Sequence, residues 1–191
     1  SAVFAPTFEE MYPSRGQTKV VVRGPAERFE GQRRPGHFDG VCTVVAKLLC
    51  AATPTVSVFG LKDVQQCAVV GRLHRDLFLP GELLFAPTCR EPDGLAMSSR
   101  NRYLDPVDRP GAALLSQMLF SDCEPDEAVH ELQENGFAVE YYERVRLADF
   151  SPAPDAEEDA AIVAAARYRG VRLIDNLLVG RPTSLGRIAN G

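Results

Sequence analysis

Three short apolar runs alternate with two amphipathic stretches in the first half of the chain, and this order limits the possible folds more than any other feature. The runs cover residues 19–22, 56–59 and 83–86, and their composition favours strands. Between them, the apolar side chains of residues 41–52 and 64–73 recur at the spacing of a buried helical face. The resulting β-α-β-α-β order predicts an α/β fold, in which helices cover a parallel sheet.

The ends of the two helices can also be predicted. We expect the first helix to open at Asp39 or Gly40 and the second at Asp63, because Asp and Gly are common at helix N-termini. Ligands of such folds bind beyond the carboxyl ends of the strands, where loops lead into helices. The segment from Gly60 to Asp63 is predicted to lie at such a place.

The second half of the chain has a different pattern. Two helices and three strands are predicted over residues 106–120, 125–134, 138–147, 161–168 and 171–179. A tight connection is expected at Arg169-Gly170. We therefore place a boundary near residue 88, between an α/β domain of residues 1–88 and a smaller α+β domain of residues 89–191. Because a strand-like Ala-Val-Phe follows Ser1 directly, the first domain is predicted to be incomplete.

Composition excludes several classes of protein. A net charge of −5 and an isoelectric point near 5.3 argue against nucleic-acid binding, since neutralising phosphates takes a dense basic surface. No apolar run approaches the roughly 20 residues needed to span a bilayer, and no signal peptide is recognised. The five cysteines form no CxxC pair, which is typical of reduced thiols in a cytoplasmic protein. No metal-ligand spacing of His and Cys appears.

Three polar clusters suit an anionic ligand, and they cover residues 33–38, 60–66 and 93–103. Lys62 follows a predicted strand and precedes a helix, where an ammonium and free backbone N–H groups can meet one phosphate. Ser98, Ser99 and Arg100 offer two hydroxyl groups and a forked cation, which match further phosphates. Each cluster also has a plainer interpretation. Lys62 could be a solvated turn residue, and Ser98 could cap a helix beside an exposed Arg100.

His37 is ambiguous for a similar reason. A lone His after Pro-Gly is more often a turn or packing residue than a catalyst, and the residues alone do not make it a general base.

Taken together and in this order, the clusters resemble the pantothenate synthetase family. Residues 34–48 match its Arg-Pro-x-His-Phe-x-Gly-Val-x-Thr-Val-Val-x-Lys-Leu stretch. Residues 59–66 match its Phe-Gly-Glu-Lys-Asp-x-Gln-Gln stretch, and residues 93–104 match its Asp-Gly-Leu-Ala-Met-Ser-Ser-Arg-Asn-x-Tyr-Leu stretch. Residues 172–176 look like its last strand. Each tripeptide is a weak signal, but the ordered set is specific and covers nearly the whole chain.

The resemblance implies a fold and a reaction. The fold is an incomplete Rossmann-like nucleotide-binding domain with a parallel sheet, followed by a smaller α+β C-terminal domain that closes over ATP. The implied activity is ATP- and Mg²⁺-dependent joining of pantoate to β-alanine. In it, the pantoate carboxylate attacks the α-phosphorus and expels pyrophosphate, and the β-alanine amine then releases AMP. A cytoplasmic homodimer is also implied.

The resemblance also assigns roles to individual residues. Lys62 and Arg100 would stabilise charge, and Ser98 and Ser99 would position phosphates, so these four residues are the implied catalytic set. Cys89 would offer a main-chain contact to adenine. The remaining implied contacts are Gly60, Leu61, Asp63 and Met97 for the nucleotide, and Gln66, Arg34 and His37 for the substrate.

This sequence departs from the family pattern in two ways. Leu61 stands where the family usually has Glu, and Val64 stands where an aromatic residue is common. In addition, the family's paired-His nucleotide motif and a pantoate-binding Gln are expected upstream of Ser1. We therefore expect the 191-residue chain alone to be nearly inactive. Alternatives are a non-catalytic remnant, a fragment that needs a complementing N-terminal segment, and a different adenylyl-transferring enzyme on a related fold.

Overall fold

The computed structural model describes residues 2–13 and 15–189, which form two sheets with helices packed against them. The helices are α1 (Phe8–Met11), α2 (Glu30–Arg33), α3 (His37–Ala52), α4 (Val64–Asp76), α5 (Arg109–Ala112), α6 (Leu114–Leu119) and α7 (Pro125–Glu134). The strands are β1 (Val56–Gly60), β2 (Glu82–Ala86), β3 (Ala138–Arg146), β4 (Asp159–Tyr168), β5 (Val171–Gly180) and β6 (Arg187–Ile188). Short 3₁₀ turns cover Leu61–Asp63 and Ser99–Tyr103.

The first sheet is parallel, as the alternating pattern predicted. β1 pairs with β2 in parallel, and β2 pairs with the short β6 on its other side. α4 connects β1 to β2 and buries Cys67, Val70 and Leu73 along one side. The predictions of β1, α4 and β2 are confirmed, because each element is specified by its own apolar pattern.

The prediction of a strand over residues 19–22 is wrong. These residues form no ladder in the structure, and the same is true of Ala2 to Phe4. Instead, the backbone N–H of Val20 donates to Thr43 Oγ1 on α3 at 3.0 Å. A β-branched run becomes a strand only when another strand satisfies its backbone groups.

α3 begins earlier than its apolar pattern predicted. It starts at His37 rather than at Asp39 or Gly40, because Gly36 adopts a φ of +77° that turns the chain into the helix. Asp39 instead lies in the first helical turn, where a carboxylate is favourable. His37 therefore stands at the N-terminus of a sixteen-residue helix.

The second sheet is an antiparallel meander in the order β3-β4-β5. Arg169 and Gly170 both have positive φ values in the connection between β4 and β5, as a two-residue hairpin turn requires, so that prediction is confirmed. The alanine-rich β4 is covered on both faces. Ala164 and Ala166 pack in one core beneath α6 and α7, whereas Ala161 packs in another core with Leu61 and Phe85.

The segment predicted as one helix over residues 106–120 is divided into α5 and α6 at Ala113. The boundary near residue 88 remains a prediction, and β6 returns from the second half of the chain to pair with β2 of the first. Among residues 2–13 and 15–189, no helix has the length and apolar character needed to cross a bilayer.

Candidate functional site

A cavity of about 240 Å³ lies between the carboxyl end of β1 and the second sheet. The turn after β1 contributes Lys62, and β5 contributes Asp175 and Asn176 from the other side. Residues 29–38 and the segment at Ser98–Arg100 close two further sides. The cavity therefore brings together all three polar clusters that the sequence singled out.

Most of the predicted site residues line this cavity. They are Arg34, His37, Lys62, Asp63, Gln66, Ser98, Ser99 and Arg100. Gly60 ends β1 beside them, and the Leu61 side chain is only 4% exposed, so Leu61 can reach a ligand through its backbone alone. Cys89 and Met97 do not line the cavity. They contact each other instead, since the Met97 N–H donates to the Cys89 carbonyl at 2.9 Å.

The cations and hydroxyl groups of the cavity form a set suited to phosphates. Arg34, Lys62 and Arg100 all line it, and Ser98 and Ser99 add hydroxyl groups. Ser98 also caps the 3₁₀ turn, since its Oγ accepts from the Arg100 N–H at 3.2 Å. The capping role and the ligand-facing position of this segment are therefore compatible. No hydrogen bond or ion pair engages the Lys62 ammonium within the part of the chain that the structure describes.

His37 lies beside Arg34 on the cavity wall, with 3.2 Å between Nε2 and Arg34 Nη1. Burial lowers the pKa of His37, and the Arg34 charge lowers it further against the opposing attraction of Glu30 and Asp63. A neutral imidazole can accept a hydrogen bond from the guanidinium, which fits the observed contact.

Two consecutive glutamines on α4 both line the cavity, but they differ in burial and in their hydrogen bonds. Gln66 is partly exposed, whereas Gln65 is 6% exposed and its amide is bound to backbone groups of residues 25–30. The Gln65 Nε2 donates to the Pro25 and Arg28 carbonyls at 2.8 Å each, and its Oε1 accepts from the Glu30 N–H at 3.1 Å. Gln65 thus holds the segment that leads into Arg34 and His37.

A partly buried ion pair that the sequence did not reveal lies at the cavity. Both carboxylate oxygens of Glu30 accept from Arg172, and Tyr141 Oη also donates to Glu30 at 3.0 Å. Arg172 binds Glu140 as well, at 2.9 Å. This network joins the segment before Arg34 to the second sheet. Glu30 stands in a charged segment of ordinary appearance, so no local signal marked it.

Ionisation of Glu30 should stabilise the fold at neutral pH. Burial alone would raise the pKa of Glu30, but the hydrogen bonds and charge of Arg172 outweigh burial and hold it below the ordinary value of 4.5. Because the folded pKa is the lower one, this stabilisation is present above about pH 4.5 and is lost as the pH falls through the folded pKa.

We expect Glu30→Gln to lower the free energy of unfolding by about 2 kcal/mol at pH 7. Urea unfolding between about pH 3 and pH 7 should show this difference shrinking toward acid. Glu9→Gln, at an exposed position on α1, is the matched control. A difference that stays constant down to about pH 3 would contradict the proposed ionisation.

β5 holds two of the predicted site segments at once. Asn176 Nδ2 donates to the carbonyls of Leu61 and Lys62 at 2.9 Å each. Beside it, Asp175 accepts two hydrogen bonds from Arg90, at 2.6 and 3.0 Å, and one from Ser116 at 2.8 Å. The sequence identified this stretch only as a strand, because its partners lie far away in the chain.

The backbone is also unusual at the cavity. Phe29 and Phe150 both line it with positive φ values, of +49° and +60°, and their rings meet edge to face at 6.1 Å between centroids. Such conformations are uncommon for residues other than Gly and tend to occur at functional sites.

Comparison with known proteins identifies the family. The family model described as pantoate-beta-alanine ligase matches residues 1–178. Pantothenate synthetases of Acidiphilium cryptum and Acidothermus cellulolyticus are each 45% identical to the chain, with 91% and 92% of the chain aligned. These alignments cover 66% and 63% of the two relatives, so the chain spans about two thirds of their length.

Solved structures agree with this result. The pantothenate synthetase of Thermus thermophilus superposes with a TM-score of 0.82 at 41% identity, over 93% of this chain and 69% of that one. The pantoate-beta-alanine ligase of Francisella tularensis, complexed with β-γ ATP and β-alanine, superposes with a TM-score of 0.73 at 31% identity, over 89% of this chain and 61% of that one. The mixed α/β fold and the ordered motifs have the same explanation: the chain belongs to the pantoate-beta-alanine ligase family.

Proposed function

We propose that this chain carries the nucleotide- and substrate-binding part of an ATP-dependent ligase that joins pantoate to β-alanine. One observation carries the proposal: the cavity collects Arg34, Lys62 and Arg100 from three separate segments beside Gln66. Family membership supports pantoate and β-alanine as the substrates. The complex of the Francisella relative supports ATP as the nucleotide.

The cavity residues fit the polyphosphate of ATP. Three cations and two hydroxyl groups line a space that is partly shielded from water, where charge-assisted hydrogen bonds are strongest. We propose that Lys62 faces the α-phosphate, while Ser98, Ser99 and Arg100 bind the phosphates that leave. Gly60, Leu61, Asp63, Cys89 and Met97 remain proposed nucleotide contacts, and Gln66, Arg34 and His37 remain proposed substrate contacts.

The residues also fit a magnesium ion that is held mainly by the phosphates. The described residues contain no group of three His, Cys, Asp or Glu side chains that could hold a metal by itself. Mg²⁺ commonly binds phosphate oxygens together with only one or two carboxylates. Asp63 is an exposed carboxylate of the cavity lining and is the side chain we propose to face it. The ion would supply neutralisation of phosphate charge.

The proposed chemistry has two steps. The pantoate carboxylate attacks the α-phosphorus of ATP, the bond to pyrophosphate breaks, and an acyl-adenylate forms. The amine of β-alanine then attacks the acyl carbon and AMP leaves with the former carboxylate oxygen. Lys62 and Arg100 stabilise the negative charge that develops on phosphate oxygens, so the protein contributes position and charge rather than a covalent bond.

Isotope exchange between pyrophosphate and ATP tests this proposal. The chain is assayed alone and fused to the part of its Acidiphilium relative that the alignment leaves uncovered. We expect the fusion to exchange label when pantoate is present, even without β-alanine. Pyrophosphate is released in the first step, and β-alanine takes part only in the second. Equal rates of exchange with and without pantoate, or production of ADP, would contradict the acyl-adenylate route.

Calorimetry on the chain alone separates the ligase proposal from a non-catalytic remnant. Measurable affinity of the chain for Mg-ATP supports the ligase proposal, and absence of affinity in both the chain and the fused protein favours the remnant. We further propose the boundary near residue 88 and a homodimeric protein. Limited proteolysis tests the boundary, and sedimentation equilibrium tests the homodimer.

A further inference from the structure

The Asn176 side chain is placed to control the backbone of the Lys62 turn. Its Nδ2 donates to two consecutive carbonyls, those of Leu61 and Lys62, at 2.9 Å each. Asn176 itself is 6% exposed, in a strand whose ladder to β4 is continuous on both sides of it. Two carbonyls of a short 3₁₀ turn are thus tied to a rigid sheet.

The position of Asn176 is itself fixed. Its backbone N–H donates to Asp175 Oδ1 at 2.8 Å, and Asp175 is held by Arg90 and Ser116. An amide placed on a strand and braced by a buried ion pair has little freedom to follow the turn. The Asn176 amide therefore fixes the positions of the Leu61 and Lys62 carbonyls.

The two hydrogen bonds also fix the direction of the Lys62 side chain. The Leu61 and Lys62 carbonyls belong to the two planar peptides on either side of the Lys62 Cα. Because Asn176 holds both peptides, it also holds the Cα–Cβ bond of Lys62. The Lys62 side chain lines the cavity.

We propose that Asn176 is a positioning residue that holds the Lys62 turn so that the Lys62 ammonium faces the nucleotide phosphate. This inference rests on the proposed function, in which Lys62 contacts a phosphate. Asn176 acts through the turn, so its loss weakens ATP binding by way of Lys62. In a variant that already lacks the Lys62 ammonium, removing Asn176 has a smaller effect.

Asn176→Asp and Asn176→Ala test the proposal by calorimetry with Mg-ATP. We expect both substitutions to weaken binding about tenfold at pH 8, since two hydrogen bonds to the turn are lost. Burial and the two facing carbonyls should raise the pKa of the new Asp, and its protonated form can donate to one carbonyl. The Kd of Asn176→Asp relative to the parent should therefore recover between about pH 8 and pH 5.5, while that of Asn176→Ala stays constant.

Amide hydrogen exchange of the ligand-free protein provides a second readout that does not depend on nucleotide. Both variants should exchange faster at residues 60–64 at pH 8, and the exposed control Asn135→Asp should not. If the parent binds no ATP, the proposed function fails, and the exchange result alone decides whether Asn176 holds the turn. If Asn176→Ala does not fold, Asn176→Asp at low pH still tests the proposal. Unchanged exchange, or equal losses of affinity with and without the Lys62 ammonium, would overturn it.

Discussion

Replacing Lys62 with Met should slow pantoate-dependent pyrophosphate exchange by about 10²–10³-fold, as expected for loss of one preorganised charge at a developing oxyanion. Met keeps most of the side-chain volume and removes the ammonium. The loss should appear mainly in the maximal rate, because the charge acts on oxygens that gain negative character during the reaction. The assay is the exchange measurement on the fused protein, with saturating ATP and pantoate.

Stability should change little in the same variant. The Lys62 ammonium has no hydrogen bond or ion pair among residues 2–13 and 15–189, so the fold loses no partner when it is removed. We expect the free energy of unfolding to stay within about 0.5 kcal/mol of the parent. Lys19→Met, at an exposed lysine outside the cavity, is the control for nonspecific loss of charge. Equal exchange rates in the two variants would contradict a catalytic role for Lys62.

Replacing Asp175 with Ala should produce the largest loss of stability. The carboxylate is 2% exposed and binds Arg90 through two hydrogen bonds, so its removal leaves a largely buried guanidinium without its counter-charge. Breaking a buried pair from one side costs about 3 kcal/mol or more. Urea unfolding followed by circular dichroism measures this difference.

A surface pair provides the comparison for Asp175. Arg187 and Glu82 are 2.9 Å apart, but their side chains are 70% and 46% exposed. Glu82→Gln should therefore change the free energy of unfolding by less than about 1 kcal/mol. Similar losses in the two variants would show that the Arg90–Asp175 pair contributes no more than a solvated contact.

The elements that were predicted correctly are those whose own residues carry the pattern that specifies them. β1 and α4 carry their own periodicity, and Arg169-Gly170 carries the chemistry of its turn. Residues 19–22 carry an equally good strand pattern, yet no neighbouring strand pairs with them, and a pattern in one segment cannot report on its partner.

The candidate site divides in the same way. Lys62 and Ser98–Arg100 could be predicted to line one cavity because they belong to polar clusters that a packed core does not need, although Ser98 also caps the 3₁₀ turn. The Glu30–Arg172 pair joins residues 142 positions apart, and charged residues on loops and strands do not reveal which partner they meet. The resemblance assigned a substrate contact to Gln66 alone, but nothing in the sequence showed that Gln65 holds the backbone of residues 25–30.

The different hydrogen bonding of Gln65 and Gln66 bears on any attempt to change the acid that the proposed ligase accepts. In a library that varies both positions, most members would carry a destabilising replacement of Gln65. Its three hydrogen bonds to backbone groups leave almost no acceptable replacement. Selection for a longer or bulkier hydroxy acid should vary position 66 and leave position 65 untouched. The two residues are adjacent in the chain, but one is open to redesign and the other is part of the scaffold.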